Sequence, residues 1–126
     1  MINCLAYTAG PYRAKCEFEV VQNILRAEQW ALELWRRKIP VICPHKNTAL
    51  MGGAHGLPDD VWLKGDLIMI RRCDVVVMIP GWEQSSGSVA EKALAEKNLI
   101  QVATPTCFDD LDDLAALLAA RHGVRP

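Results

Sequence analysis

The segment Cys73-Asp74-Val75-Val76-Val77-Met78-Ile79-Pro80-Gly81-Trp82-Glu83-Gln84-Ser85-Ser86-Gly87-Ser88-Val89-Ala90-Glu91 constrains this chain more than any other. A β-branched apolar run stops at Pro-Gly, and a Ser/Gly-rich loop follows. The next helix then carries a carboxylate within about a turn and a half of its start. A strand that is apolar at every position is buried on both faces, which calls for a parallel sheet between helix layers. Helical side chains lean toward their own N-terminus, so Glu91 is expected to point back at the loop, where the free N–H groups of the first turn converge. The segment therefore predicts a carboxylate beside an anion cradle.

The rest of the chain repeats the alternation. Cys4-Leu5-Ala6-Tyr7-Thr8 reads as a strand stopped by Ala9-Gly10-Pro11. Val20, Ile24, Ala27, Ala31 and Leu34 then recur at helical spacing, on a helix expected from about Glu17 to Lys38. Pro40 to Pro44 reads as a short strand, and Lys46 to Pro58, glycine-rich and aperiodic, as a long loop. Asp59 or Asp60 can cap a helix running to about Arg72 on a stripe of Leu63, Leu67 and Ile70. A helix from near Gly87 is expected to end at Asn98 in the left-handed conformation and to lead into strand Leu99–Ala103. A last helix uses Leu111, Leu114, Ala115 and Leu118, and the tail from His122 is expected to fray.

The predicted fold is one α/β domain over residues 1–126. It is a small doubly wound parallel sheet of four to five strands in the Rossmann-like order 2-1-3-4, with helices on both faces. Ligands of such sheets bind beyond the carboxyl ends of the strands, so Tyr7–Pro11, Pro44–Thr48 and Pro80–Gly87 should meet there.

Composition narrows the partners. A chain of 126 residues, 51% hydrophobic with net charge −1, has one domain's worth of core and no basic excess for nucleic acid or membrane surfaces. No apolar run approaches the roughly 20 residues that span a bilayer, and no segment has signal-peptide form, which places the protein by default in the cytoplasm. Five cysteines without CxxC spacing read as buried reduced thiols, and His45, His55 and His122 are scattered, so no metal is expected. The absence of GxGxxG and GxxxxGK[ST] removes the dinucleotide fingerprint and the P-loop, and no cofactor is expected. Serines occur only at 85, 86 and 88, outside any GxSxG elbow.

Three motifs in order, Tyr7-Thr8-Ala9-Gly10-Pro11, the pair Asp66 and Asp74 flanking a helix end, and Ser85-Ser86-Gly87-Ser88-Val89-Ala90-Glu91, resemble the nucleoside 2-deoxyribosyltransferase superfamily over roughly the first hundred residues. The resemblance is to its short members and to relatives that hydrolyse nucleoside monophosphates. It implies Glu91 as the nucleophile at the anomeric carbon, Asp66 as the group that protonates the departing base, and Tyr7 as the orienter of the nucleophile. It also implies a small-molecule nucleoside or nucleotide ligand and a homo-oligomer, dimer or tetramer, whose neighbours complete each other's sites.

The chemistry agrees. Cleavage of an N-glycosidic bond passes through an oxocarbenium-like state that needs a carboxylate on one side and a proton source on the other. A helix start near Glu91 favours its ionised form, whereas Asp66, late in its helix, is expected to hold a proton. Beside these readings stand plain ones, a dipole-stabilising surface glutamate at 91 and a solvated aspartate at 66.

The departures from the family are equally specific. Ser85 stands where the transferases carry an acidic residue, which points to a phosphorylated substrate held by Ser85, the Gly87 backbone and the Gly10 turn at a helix start; the simpler reading of Ser85 is a helix cap. Val89 replaces a common glycine, and the chain closes on Arg125-Pro126 without an aromatic terminus, which puts base transfer in doubt beside hydrolysis. Trp82 either stacks on a base or anchors its loop, and Asn47 either contacts the ligand or is a turn residue. Pro11 belongs to the first strand-end loop. Trp30, Leu32 and Trp35 add apolar surface to the long helix beyond its core stripe, which suggests a subunit interface. The expected function is N-glycosidic cleavage or base transfer on a nucleoside or nucleoside 5′-monophosphate; the alternative is a non-catalytic nucleotide-binding or sensor module using the same cleft.

Overall fold

In the computed structural model, which describes residues 1–51 and 56–126, nine elements alternate along the chain. They are β1 (Ala6–Ala9), α1 (Glu17–Arg36), β2 (Val41–Ile42), α2 (Pro44–Asn47), α3 (Asp59–Ile70), β3 (Val75–Met78), α4 (Ser86–Lys97), β4 (Gln101–Ala103) and α5 (Asp110–His122). A single 3-10 turn, Trp82–Gln84, joins β3 to α4. The four strands form one parallel sheet in the order β2-β1-β3-β4, with Tyr7 level with Ile42 on one side and with Val76 on the other. The expected α/β fold and its strand order are those observed. His55 and part of the expected loop over Lys46–Pro58 lie outside the described residues.

The pleat sorts the strand side chains between two cores. Ala6, Val75, Val77 and Ile79 pack with Ala27, Trp30 and Leu34 of α1 and with Leu111, Leu114 and Leu118 of α5. Tyr7, Ala9, Val76 and Met78 point the other way, against Ile70 of α3 and Ala95 of α4. All four residues of β1 and of β3 are buried, as a strand covered on both faces requires.

Several boundaries differ from the sequence reading, each for a local reason. The second strand is only two residues long because Pro44 starts α2, its ring suiting the first helical position. Neither Asp59 nor Asp60 caps α3: Pro58 precedes it, and no side chain bonds the free N–H groups. Of the expected apolar stripe of α3 only Ile70 is buried, while Leu63 is exposed and Leu67 only partly covered. Asn98 keeps φ −94° and donates from Nδ2 to the Leu94 carbonyl at 2.8 Å, while the exposed Leu99 takes the left-handed turn at φ 58°. The tail does not fray. Val124 bridges to Ile2, the Asn3 N–H donates to the Gly123 carbonyl, and the Arg125 N–H donates to the Met1 carbonyl at 2.7 Å.

Trp30 is also placed differently from the expectation. It is buried, edge-on to Phe108 with ring centroids 4.6 Å apart, and so belongs to the core. Phe18, Leu25, Leu32 and Trp35, 71%, 43%, 46% and 47% exposed, form a separate apolar stripe along α1. Among the described residues no helix is long and apolar enough to cross a membrane.

Candidate active site

At the carboxyl ends of the strands a cavity of about 380 Å³ opens between the loop after β1, α2, α3 and the start of α4. The close approach of β1 and β3 fixes its floor. A Cβ on Gly10 would stand 2.9 Å from Ile79 Cβ, so only glycine lets the chain leave β1 there. Gly81, at φ 97°, turns the chain out of β3 beneath Pro11.

Ser85 ends that turn and caps α4. Its Oγ accepts from the Ser88 N–H at 3.3 Å and from the buried Ser88 hydroxyl at 3.1 Å. Both contacts use its lone pairs, which leaves the Ser85 O–H as a donor. The capping reading of Ser85 is thus observed, and the residue also lines the cavity with Gly87. Gly10 and Pro11 line it too, but the turn at Gly10 is not a helix start, since α1 begins seven residues later, at Glu17.

Glu91 stands one and a half turns into α4 and faces the cavity. Its Oε2 accepts from the Tyr7 hydroxyl at 2.5 Å. Tyr7 is fully buried beneath the site and does not line it. Burial and then the Glu91 charge push its phenol far up, so it stays protonated and acts only as a donor to the carboxylate. Asp66 reaches the cavity from α3 and is felt electrostatically by Glu91.

Both carboxyls are raised by burial, Asp66 as expected and Glu91 against the expected effect of the helix start. Burial raises Glu91 to about 7, against the lowering hydrogen bond from Tyr7 and with a smaller upward push from Asp66. Burial alone raises Asp66 to about 6. The helix dipole decays within the first turn, and Glu91 is already past it, so desolvation decides. The two carboxyls face one cavity and titrate as a pair, each holding its proton more tightly than a solvated carboxyl does.

Asn47 and Trp82 do not line the cavity. Asn47 is exposed at the end of α2. Trp82 packs on the core beside Leu94 and Val102, with Lys92 Nζ 5.5 Å above its ring, as a loop anchor does.

Sequence reasoning missed several lining residues. His45, 5% exposed, bonds the Pro11 carbonyl through Nε2 at 2.9 Å; the carbonyl accepts only, so Nε2 carries the hydrogen, and burial lowers the imidazole. Tyr12 stands edge-on to His45, and Arg13 pairs with Asp59 at 2.6 Å across the mouth. Asp59, Trp62, Leu63 and Asp66 share one face of α3. Their spacing of 3, 4 and 7 was a readable signal, obscured because Leu63 and Leu67 also fit a core stripe. Among the described residues no group of three or more His, Cys, Asp and Glu could hold a metal ion.

Residues 42–104, half of the chain, match a family described as a domain of unknown function, DUF4406. The chain belongs to the DUF4406 family. The matched span contains Asp66, Ser85 and Glu91, while Tyr7 and Gly10 lie outside it. No curated protein matches this DUF4406 chain. Among solved structures it is similar to a conserved protein from Enterococcus faecalis V583, at 17% identity and a TM-score of 0.55, over 95% of this chain and 88% of that one. That similarity is one of fold.

Proposed function

We propose that this DUF4406 protein breaks, or exchanges across, the N-glycosidic bond of a nucleoside or nucleoside 5′-monophosphate. The observation that carries the reading is the Tyr7–Glu91 hydrogen bond at the wall of a cavity that Asp66 enters from a second helix. A Glu91 oxygen attacks the anomeric carbon, the electron pair of the carbon–nitrogen bond passes to the base, and the base takes the proton of Asp66. Water, or a second base, then releases the sugar. The free Ser85 O–H and the Gly87 backbone at the start of α4 suit an anionic oxygen, which supports a phosphorylated substrate. The likeness of the three motifs to the nucleoside deoxyribosyltransferases adds to this reading.

The test is chromatographic detection of free base from a panel of nucleosides and monophosphates. Release that disappears in Glu91→Gln is the expected result; binding without release overturns it in favour of a nucleotide-binding module.

The protein is further proposed to be a homo-oligomer through α1. Phe18, Leu25 and Leu32 recur every seven residues, with Trp35 three later, as along a helix–helix seam.

A further inference from the structure

The helix α3 is apolar on most of its sides, yet of its twelve residues only Ile70 is buried, and no side chain caps its start. A helix apolar all round is normally one that a larger core encloses. Val61 and Ile68, 43% and 50% exposed, stand on the side turned away from Asp66 and the cavity, with Gly65 between them at helical spacing. Nothing within one chain accounts for that glycine. Glycine weakens a helix interior relative to alanine, and a Cβ at position 65 would meet nothing within 4 Å. A second backbone crossing there does account for it.

Charge is arranged about the same centre. Asp60 in the first turn and exposed Arg71 at the carboxyl end share one flank of the Val61–Ile68 stripe. Asp60 pairs through Oδ2 with Lys64 at 3.0 Å, while Arg71 has no ion-pair partner among the described residues. The midpoint of Val61 and Ile68 and the midpoint of Asp60 and Arg71 both fall beside Gly65.

We propose that α3 is a two-fold seam with a second copy of this chain, the two helices antiparallel and crossing at Gly65. The axis sets Gly65 against the partner's Gly65, Val61 against the partner's Ile68, and Asp60 against the partner's Arg71, each unlike pair occurring twice. A parallel crossing would instead bring like charges together at both ends. The seam is separate from the α1 stripe, because α3 covers the sheet face of Tyr7 and Val76 and α1 the face of Ala6 and Val77. It is also independent of the proposed reaction. A helix of twelve residues is about 18 Å long and covers less than the roughly 800 Å² per partner of a standard interface, so this contact is the weaker and closes second.

The experiment puts a thiol at the crossing. Gly65→Cys, in the full chain with the exposed thiols removed by Cys16→Ser and Cys107→Ser, is oxidised with diamide at high micromolar concentration and resolved on a non-reducing gel. The open space at position 65 lets this variant fold, which circular dichroism checks. The expected product is a disulfide-linked dimer, and adding Ile68→Glu should slow its formation at least about tenfold by burying a charge in the seam. Asp60→Arg or Arg71→Asp alone should slow linking several-fold and the two together restore it, since opposite charges again face each other across the axis. Sedimentation of the chain with its native residue 65 gives a second measure: a concentration-dependent association that Ile68→Glu removes. Absence of the linked dimer, linking indifferent to Ile68→Glu, or no recovery in the double charge variant overturns the seam and leaves the proposed function and the α1 contact standing.

Discussion

The sheet has a hollow of about 380 Å³ at each end, and the two are chemically unlike. At the carboxyl ends, partly buried Glu91 and Asp66 are both raised, with a single phenol bonded to one of them. At the amino ends, exposed Asp74 accepts the Leu5 N–H at 2.8 Å, and the hollow is walled by the paired chain termini. Asp74 is occupied in joining β1 to the turn before β3, whereas Glu91 is stabilised by little besides Tyr7. Volume does not separate the two hollows. The difference lies in whether a carboxylate's environment satisfies its charge or leaves that to a ligand.

The sharpest way to break the comparison is to substitute both ends. Glu91→Gln and Glu91→Ala should lower turnover by roughly three or more orders of magnitude, since a covalent nucleophile has no substitute in water, while Glu91→Gln keeps ligand affinity. Single-turnover kinetics and calorimetry measure the pair, and near wild-type rates in either variant end the nucleophile assignment.

Asp66→Asn should cost about 10²-fold or more with poorly leaving bases and much less with activated ones, because only the former need a delivered proton. Equal losses across a leaving-group series would remove Asp66 from the acid role. The two raised carboxyls also predict a bell-shaped profile for kcat/KM. Activity needs one proton on the pair, so it should rise as the first of the two protons is lost and fall as the second is lost, giving a narrow optimum between about pH 6 and 7.

The same burial predicts a stability effect. Raised above its unfolded value of 4.5, Glu91 binds its proton more tightly in the folded state. Its contribution is therefore full below about pH 4.5 and lost as pH rises through about 7. Glu91→Gln should be the more stable protein at pH 8, by on the order of 3 kcal/mol, with the advantage vanishing toward pH 4.5. Urea unfolding at several pH values measures it, and a difference independent of pH would mean that the carboxyl is solvated.

Smaller effects should separate core from seam, and one end of the sheet from the other. Trp35→Glu should dissociate the oligomer in light scattering while the monomer stays folded; Trp30→Glu, which puts a charge against Phe108, should unfold it. A wild-type monomer at micromolar concentration would refute the seam. Asp74→Asn should cost only about 1 kcal/mol of stability and leave base release within a few-fold of wild type. A large loss of activity there would erase the contrast between the two ends.

The order of elements could be read from the chain because it depends on local properties. Apolar runs at Val75–Val77 and Leu5–Tyr7, helical spacing from Val20 to Leu34, and Pro-Gly and Ala-Gly-Pro stops favour a parallel sheet, which buries both strand faces between helices. Backward lean of helical side chains also placed Glu91 toward the loop, and the family resemblance implied its pairing with Tyr7. What the chain could not state is which of its charges would be deprived of water. Desolvation depends on everything that surrounds a group. Glu91 is raised because burial outweighs the lowering hydrogen bond from Tyr7, and a position on a helix does not reveal that balance. The same reason hid His45, Tyr12 and Trp62, whose placement in the cavity follows from how α2 and α3 dock on the sheet. It also sent Trp82 and Trp30 to the core and left Trp35 exposed, since a tryptophan in sequence carries no record of which surface will meet it.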